Sequence, residues 1–184
     1  MAVVTPDPIM QIAMGFMGAK HLFVACEIGV FEKLAEAPAT ADELAAKCGV
    51  PLRTLRIITD AMVSVGLSER KRDRYRNSSA AAAFLSGGNT DLRPMLRFWD
   101  RISYPAWIEL DDAVRRGEGR SRFDRFTEEE QQIFSAGVEA FSAATAAAGS
   151  FVASLSPRAV ALRKPFTNAG FLTISSGFET IMRP

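Results

Sequence analysis

The residues able to do covalent chemistry in this sequence are few, and their spacing joins them into no catalytic set. His21 is the only histidine. A base or a nucleophile's partner must lie within hydrogen-bond reach of the group it activates, and no cysteine–histidine arrangement or metal-ligand spacing surrounds it. A lone histidine on a helix is ordinarily a packing or surface residue, and His21 is read so. Cys26 and Cys48 both fall on expected helices and form no C-x-x-C pair. Two reduced, buried thiols in a cytoplasmic protein are the expectation. No residue is assigned as catalytic, cofactor-binding or metal-binding.

Two other groupings bear on recognition. Arg70, Lys71, Arg72, Arg74 and Arg76 place five basic side chains in seven residues. Beside a recognition helix they would reach DNA phosphates; alternatively they form a solvated hairpin whose charges keep an exposed edge from pairing. Asp60 on the outward helix face, and the lack there of an Asn, Gln or Ser cluster to read base edges, favour the second reading. Phe98, Trp99, Tyr104 and Trp107 are the densest aromatic set. They are either core or the wall of a pocket for a flat aromatic ligand.

The elements that position these groups are legible in order. Pro6 and Pro8 delimit a short start, and a long helix begins near Pro8. Ile9, Ile12, Ala13, Phe16, Met17, Phe23 and Val24 occupy one side of it; Met10, Met14, Leu22 and Cys26 occupy much of the other. A surface helix needs only one apolar stripe. This one is apolar nearly all round, so it is either buried at the centre of one domain or covered on its second face by another chain. Lys20, His21 and Glu27 interrupt it short of the ~20 uncharged residues of a membrane span, and no signal-peptide leader is evident.

Gly29 separates a second helix, Val30 to Ala35. Thr40-Ala41-Asp42-Glu43 is a capping box opening a helix from Ala41 to Lys47, closed by Gly49. Pro51 sits where a first helical residue loses nothing by lacking its N–H, and the next helix is expected from Leu52 to Val65 with Leu52, Leu55, Ile58, Met62 and Val65 on one face. Leu67 to Lys71 and Arg74 to Asn77 then read as a hairpin. A short helix follows Ser78 or Ser79. Asn89 or Thr90 is expected to cap a helix carrying Leu92, Met95, Leu96, Trp99 and Ile102, interrupted at Ser103-Tyr104-Pro105. Trp107, Leu110 and Val114 continue in line to Gly117. Thr127-x-x-Glu130 caps a last helix with Ile133, Phe134, Val138, Phe141 and Thr145 on one side. After Ala148 the helical period weakens.

Composition is that of an ordinary globular chain: 184 residues, 48% hydrophobic and 23% charged. A net charge of +1 supplies no field that would favour nucleic acid or an acidic substrate. The fold class expected is mainly α, a winged helix-turn-helix with a small β-hairpin wing.

With that order on the page, residues 8 to 148 resemble the N-terminal winged-helix dimerisation domain of S-adenosylmethionine-dependent O-methyltransferases, in the bacterial natural-product branch. Ile28-Gly29-Val30-Phe31, Thr40 to Ala45, Leu55-Arg56-Ile57-Ile58, Ser64-Val65-Gly66-Leu67 with Tyr75, Trp107-x-x-Leu110 through Glu118, and Phe134 ahead of Phe141 carry the resemblance. The resemblance adds dimerisation and cap helices to the expected fold and implies the divisions 1–88 (winged-helix dimerisation domain), 89–148 (cap and linker helices) and 149–184 (a tail). It implies a homodimer formed through the first helix, a cap over a small aromatic acceptor, and S-adenosylmethionine as cofactor of the full-length family. Phe16 and Met17, across a dimer, and Trp99, Trp107, Phe134 and Phe141 are the substrate-lining candidates. The family's Asp-x-Gly-x-Gly-x-Gly turn and histidine base do not follow Ala148. The 184 residues are therefore expected to bind no cofactor and to be inactive alone, a truncated form whose residues 149–184 depart from the family fold. The alternative carried forward is a winged-helix DNA-binding regulator.

Overall fold

The computed structural model describes residues 4–117 and 125–154, with the backbone alone for 147–154. The chain is mainly α with one small antiparallel sheet, and it divides into two units, 1–97 and 98–184. The expected boundary at residue 88 falls before the last helix of the first unit. The expected tail lies outside the described residues beyond Ser154.

In the first unit α1 (Asp7–Glu27) starts behind Pro6 and passes through Gly29, at φ 77°, into α2 (Val30–Glu36). Glycine is needed at that elbow because the left-handed region costs an L side chain. β1 (Ala39–Thr40) leads into α3 (Ala41–Cys48). The Thr40 hydroxyl accepts from the Glu43 N–H at 3.2 Å, and the Glu43 carboxylate accepts from the Thr40 N–H at 2.9 Å. The capping box is therefore complete, and Gly49, at φ 68°, ends the helix as expected.

The next helix, α4 (Leu52–Ser64), starts at its expected residue and stops one residue short of its expected end. Pro51 is the residue before the helix, with extended backbone, and its carbonyl accepts the first helical N–H, from Leu55. At the other end Val65 leaves the helical path and is 53% exposed. The buried face of α4 includes instead Thr59, which was not expected there and whose hydroxyl donates to the Leu55 carbonyl at 3.0 Å. That bond satisfies the hydroxyl, so the residue can sit among apolar neighbours.

β2 (Ser68–Lys71) and β3 (Arg74–Asn77) form the wing, joined through Arg72 and Asp73. β3 is the central strand, because β1 pairs along its other edge with Ala39 opposite Tyr75. Sequence reading missed β1, whose two residues are too short to show alternation. α5 (Ser79–Phe84) is capped by Ser78, which accepts from the Ala81 N–H. The cap before α6 (Arg93–Phe98) is neither Asn89 nor Thr90: Asp91 accepts from the Arg93 N–H at 3.1 Å. The core of this unit gathers Phe23, Val30, Phe31, Leu44, Leu55, Met62 and Tyr75.

In the second unit the expected interruption before Pro105 is a π-helical turn (Trp99–Ser103), where the Tyr104 N–H reaches the Trp99 carbonyl five residues back. Pro105 has no N–H to continue an i→i−4 ladder, and the wider turn accommodates it in the first turn of α7 (Tyr104–Ile108). α8 (Leu110–Arg116) ends at Gly117, φ 69°. Glu109 breaks the path between α7 and α8, so Trp107, Leu110 and Val114 do not form one continuous buried stripe; Val114 is exposed. α9 (Glu128–Ser154) opens on the expected capping box, with Thr127 and Glu130 bonded reciprocally at 2.8 and 3.2 Å.

Candidate functional site

The most distinctive surface is the N-terminal half of α1. From residue 18 onward the helix is mostly covered, with Phe23 and Ala25 buried and contacts to α2 and α4. Before that it is bare on every side. Ile9 is 72% exposed, Ile12 83% and Phe16 55%, with Met10, Met14 and Met17 also exposed. A helix buried at the centre of one domain is thus not what α1 is within its own chain. Several large apolar side chains on adjacent turns exceed the scattered exposure normal for a monomer and mark an association surface. Among the described residues α1 alone is long and apolar enough to cross a membrane. Length and composition pass that test although Lys20 and His21 lie within the helix. His21 is engaged locally, donating from Nδ1 to the Met17 carbonyl at 2.6 Å.

The helix-turn-helix and its wing are tied inward. Arg74 pairs with Glu43 at 3.0 Å and also donates to the Pro38 carbonyl at 2.8 Å. Arg70 lies 3.8 Å from Asp60 and over the Tyr75 ring, while Arg76 pairs with Glu69. The Tyr75 hydroxyl donates to Asp60 at 2.7 Å. Burial first, and then this bond to a carboxylate, pushes the phenol above its usual range. On α4, Arg56 lies 3.7 Å from Asp42. Three of the five basic wing residues therefore already face carboxylates of their own chain, which favours a scaffold over a phosphate-binding wing.

Around Cys26 sits a node that sequence reading missed. The Arg93 guanidinium holds the Asp91 carboxylate through Nε and Nη2, at 2.9 and 2.7 Å, and pairs also with Glu32 of α2. The hydrogen bonds to Asp91 foremost keep Arg93 firmly protonated. The pair of acids lies 59 residues apart (91 − 32) in sequence, so no local spacing could have shown it. Burial pushes the Cys26 thiol up to about 12 and also raises Cys48. Neither thiol is a thiolate at neutral pH, so neither is an activated nucleophile. Among the described residues no group of His, Cys, Asp and Glu could hold a metal ion.

The six substrate-lining candidates fall in different places. Phe16 and Met17 lie on the bare half of α1 in the first unit. In the second, Trp99 is half-buried in the π turn, Trp107 is 39% exposed on α7, and Phe134 and Phe141 lie on α9. Phe134 meets Phe98 edge-on at 5.7 Å and Phe126 at 6.0 Å, an aromatic core in which it is the middle ring. Phe126 was not singled out from sequence, since it precedes the capping box and lies outside the helical period.

A winged-helix scaffold whose wing is pinned down, joined to a bare apolar helix, defines a protein-association module. Residues 10–87 match the family model of the O-methyltransferase dimerisation domain. The tetracenomycin polyketide synthesis 8-O-methyl transferase TcmO of Streptomyces glaucescens is 36% identical over 115 residues, covering 61% of this chain and 34% of that protein. The N,N-dimethyltransferase OxyT of Streptomyces rimosus is 37% identical over 61% of this chain and 33% of its own length. The acetylserotonin O-methyltransferase of Mus musculus is 36% identical over 64% of this chain and 32% of its own. The crystal structure of human N-acetylserotonin methyltransferase in complex with SAM superposes with a TM-score of 0.68, at 29% identity over 74% of this chain and 45% of that one. The chain spans about a third of the length of the curated relatives it matches.

Proposed function

We propose that these residues supply the dimerisation and substrate-cap portion of an S-adenosylmethionine-dependent O-methyltransferase for small aromatic acceptors, acting in the cytoplasm. The observation that carries this is the bare apolar half of α1 within the match to the dimerisation domain. The partner is a second copy of the chain, and α1 is the contact. The aromatic residues Trp99, Trp107, Phe134 and Phe141, with Phe16 and Met17 supplied across the dimer, form the wall of the cap. A flat acceptor suits them because ring faces offer apolar area with few polar demands.

Methyl transfer from a sulfonium requires the acceptor held in line and its proton removed by a nearby base. The 184-residue sequence holds no Asp-x-Gly-x-Gly-x-Gly motif, and its one histidine, His21, is spent on a backbone carbonyl. The proposal is therefore that this chain binds neither cofactor nor turns over substrate without a cofactor-binding domain. The division into dimerisation, cap and tail segments at residues 88 and 148 is part of the same reading. Sedimentation of the 184-residue chain is expected to give a dimer, and calorimetry with S-adenosylmethionine no micromolar binding. Methyl transfer by the isolated chain would overturn the inactive assignment, and a monomer at micromolar concentration would overturn the dimer.

A further inference from the structure

We infer that one ordered water molecule is built into the wing, bridging Ser68 of β2 and Asn77 of β3. Ser68 is 2% exposed, and its Oγ, together with Asn77 Oδ1, is buried with no hydrogen-bond partner. The two residues are direct cross-strand partners. The Ser78 N–H donates to the Leu67 carbonyl at 3.1 Å, so the neighbouring Leu67–Ser78 pair is a hydrogen-bonded one. Alternation then makes Ser68–Asn77 a non-hydrogen-bonded pair, the kind whose side chains stand closest, on one face.

The Asn77 amide is oriented by its other end. Its Nδ2 donates to the Phe31 carbonyl of α2 at 2.8 Å, which fixes Oδ1 as the atom left over. Orphaned buried oxygens are rare in folded proteins, and the usual solution is a shared water. Here the chemistry fits. Water donates one hydrogen to the carbonyl-type Oδ1, while the serine hydroxyl, free to rotate, donates to it or accepts from it. Two neutral oxygens, one of them able to donate, match water and give a cation no charge to hold. The water then becomes a third member of the joint that ties the sheet to α2.

The test is a crystal structure of the full chain at about 1.6 Å, with water-to-amide transfer measured by NMR on the same protein. Expected is a single density peak roughly 2.7–3.2 Å from both Ser68 Oγ and Asn77 Oδ1, and a long-lived water signal at the Ser68 and Asn77 amides. In Ser68→Ala, a small change that leaves the wing able to form, that signal falls at least fivefold and the melting temperature drops. A direct bond between Ser68 Oγ and Asn77 Oδ1 with no density between them would overturn the inference. So would a water signal unchanged in Ser68→Ala.

Discussion

The Glu43 carboxylate of α3 is shared between the Thr40 backbone N–H, at 2.9 Å, and the Arg74 guanidinium of β3, at 3.0 and 3.2 Å. One side chain thus caps a helix and anchors the wing. Its acidity follows: the Thr40 N–H first, then Arg74, holds the Glu43 carboxyl below the usual carboxylate range. A carboxyl depressed in the fold contributes stability that is present above its unfolded pKa, about 4.3, and is lost as pH falls through the folded value. The melting temperature is expected to fall on acidification below about pH 4.3, and Glu43→Gln to show a shallower acid limb. Thermal melts from pH 3 to pH 7 on both proteins check this. Because the group is solvated, the effect is a modest one.

Thr40→Ala removes the hydroxyl half of the same box and should cost about 1 kcal/mol. Urea unfolding followed by circular dichroism measures it; a loss below a few tenths would show that Glu43 alone maintains the cap.

Tyr75→Phe deletes the hydrogen bond to Asp60 while leaving the buried ring in place. Asp60 is half exposed and regains water, so the expected loss is about 1 kcal/mol. The sign at high pH is opposite to that of Glu43. A phenol whose pKa is raised in the fold gives stability that is intact below about 10 and is lost as pH rises toward the folded value. Wild type should therefore lose stability above about pH 10, and Tyr75→Phe should lose less over the same interval.

Ile12→Glu and Phe16→Glu place charges on the bare half of α1. Both positions are open to solvent in the protomer, so helical content and melting at low concentration should stay near wild type. Each buried apolar side chain in a partner contact is worth roughly 1.5–3 kcal/mol, and dimer dissociation should strengthen by about ten- to a hundredfold per substitution. Analytical ultracentrifugation across concentrations reads this directly. Unchanged association by both variants would place the dimer contact elsewhere.

Arg72 opens the wing turn at φ 59°, the only described residue other than glycine with a positive value. An L side chain is disfavoured there, so Arg72→Gly is expected to raise stability by up to about 1 kcal/mol. Chemical unfolding is the measurement, and a net loss would mean that the Arg72 side chain contributes contacts outweighing the strain.

What could be read from sequence was local, and what was missed was distant. Thr40 with Glu43, Thr127 with Glu130, and the glycines at 29, 49 and 117 act within a few residues, so their spacing carries their role. The hairpin was visible because polar turn residues separate two short strands. By contrast, Arg93 meets Glu32 only after the chain has folded, and β1 exists only because Tyr75 lies opposite Ala39. Val65 was placed on the core face by period alone, yet α4 stops one residue earlier. The all-round apolar character of the first helix was plain from composition. Its exposure was not, because period cannot distinguish burial in one chain from burial between two. Period places Phe134 on the last helix, but its packing on Phe126 depends on a loop residue outside any period.

The π turn at Trp99–Ser103 has one more consequence. It holds one residue more than an α turn would, and each residue in a helix advances the side chains by about 100°. Removing a single residue there would swing Trp107 by that angle about the axis of α7. The turn therefore works as an indexing step, setting the compass bearing of Trp107.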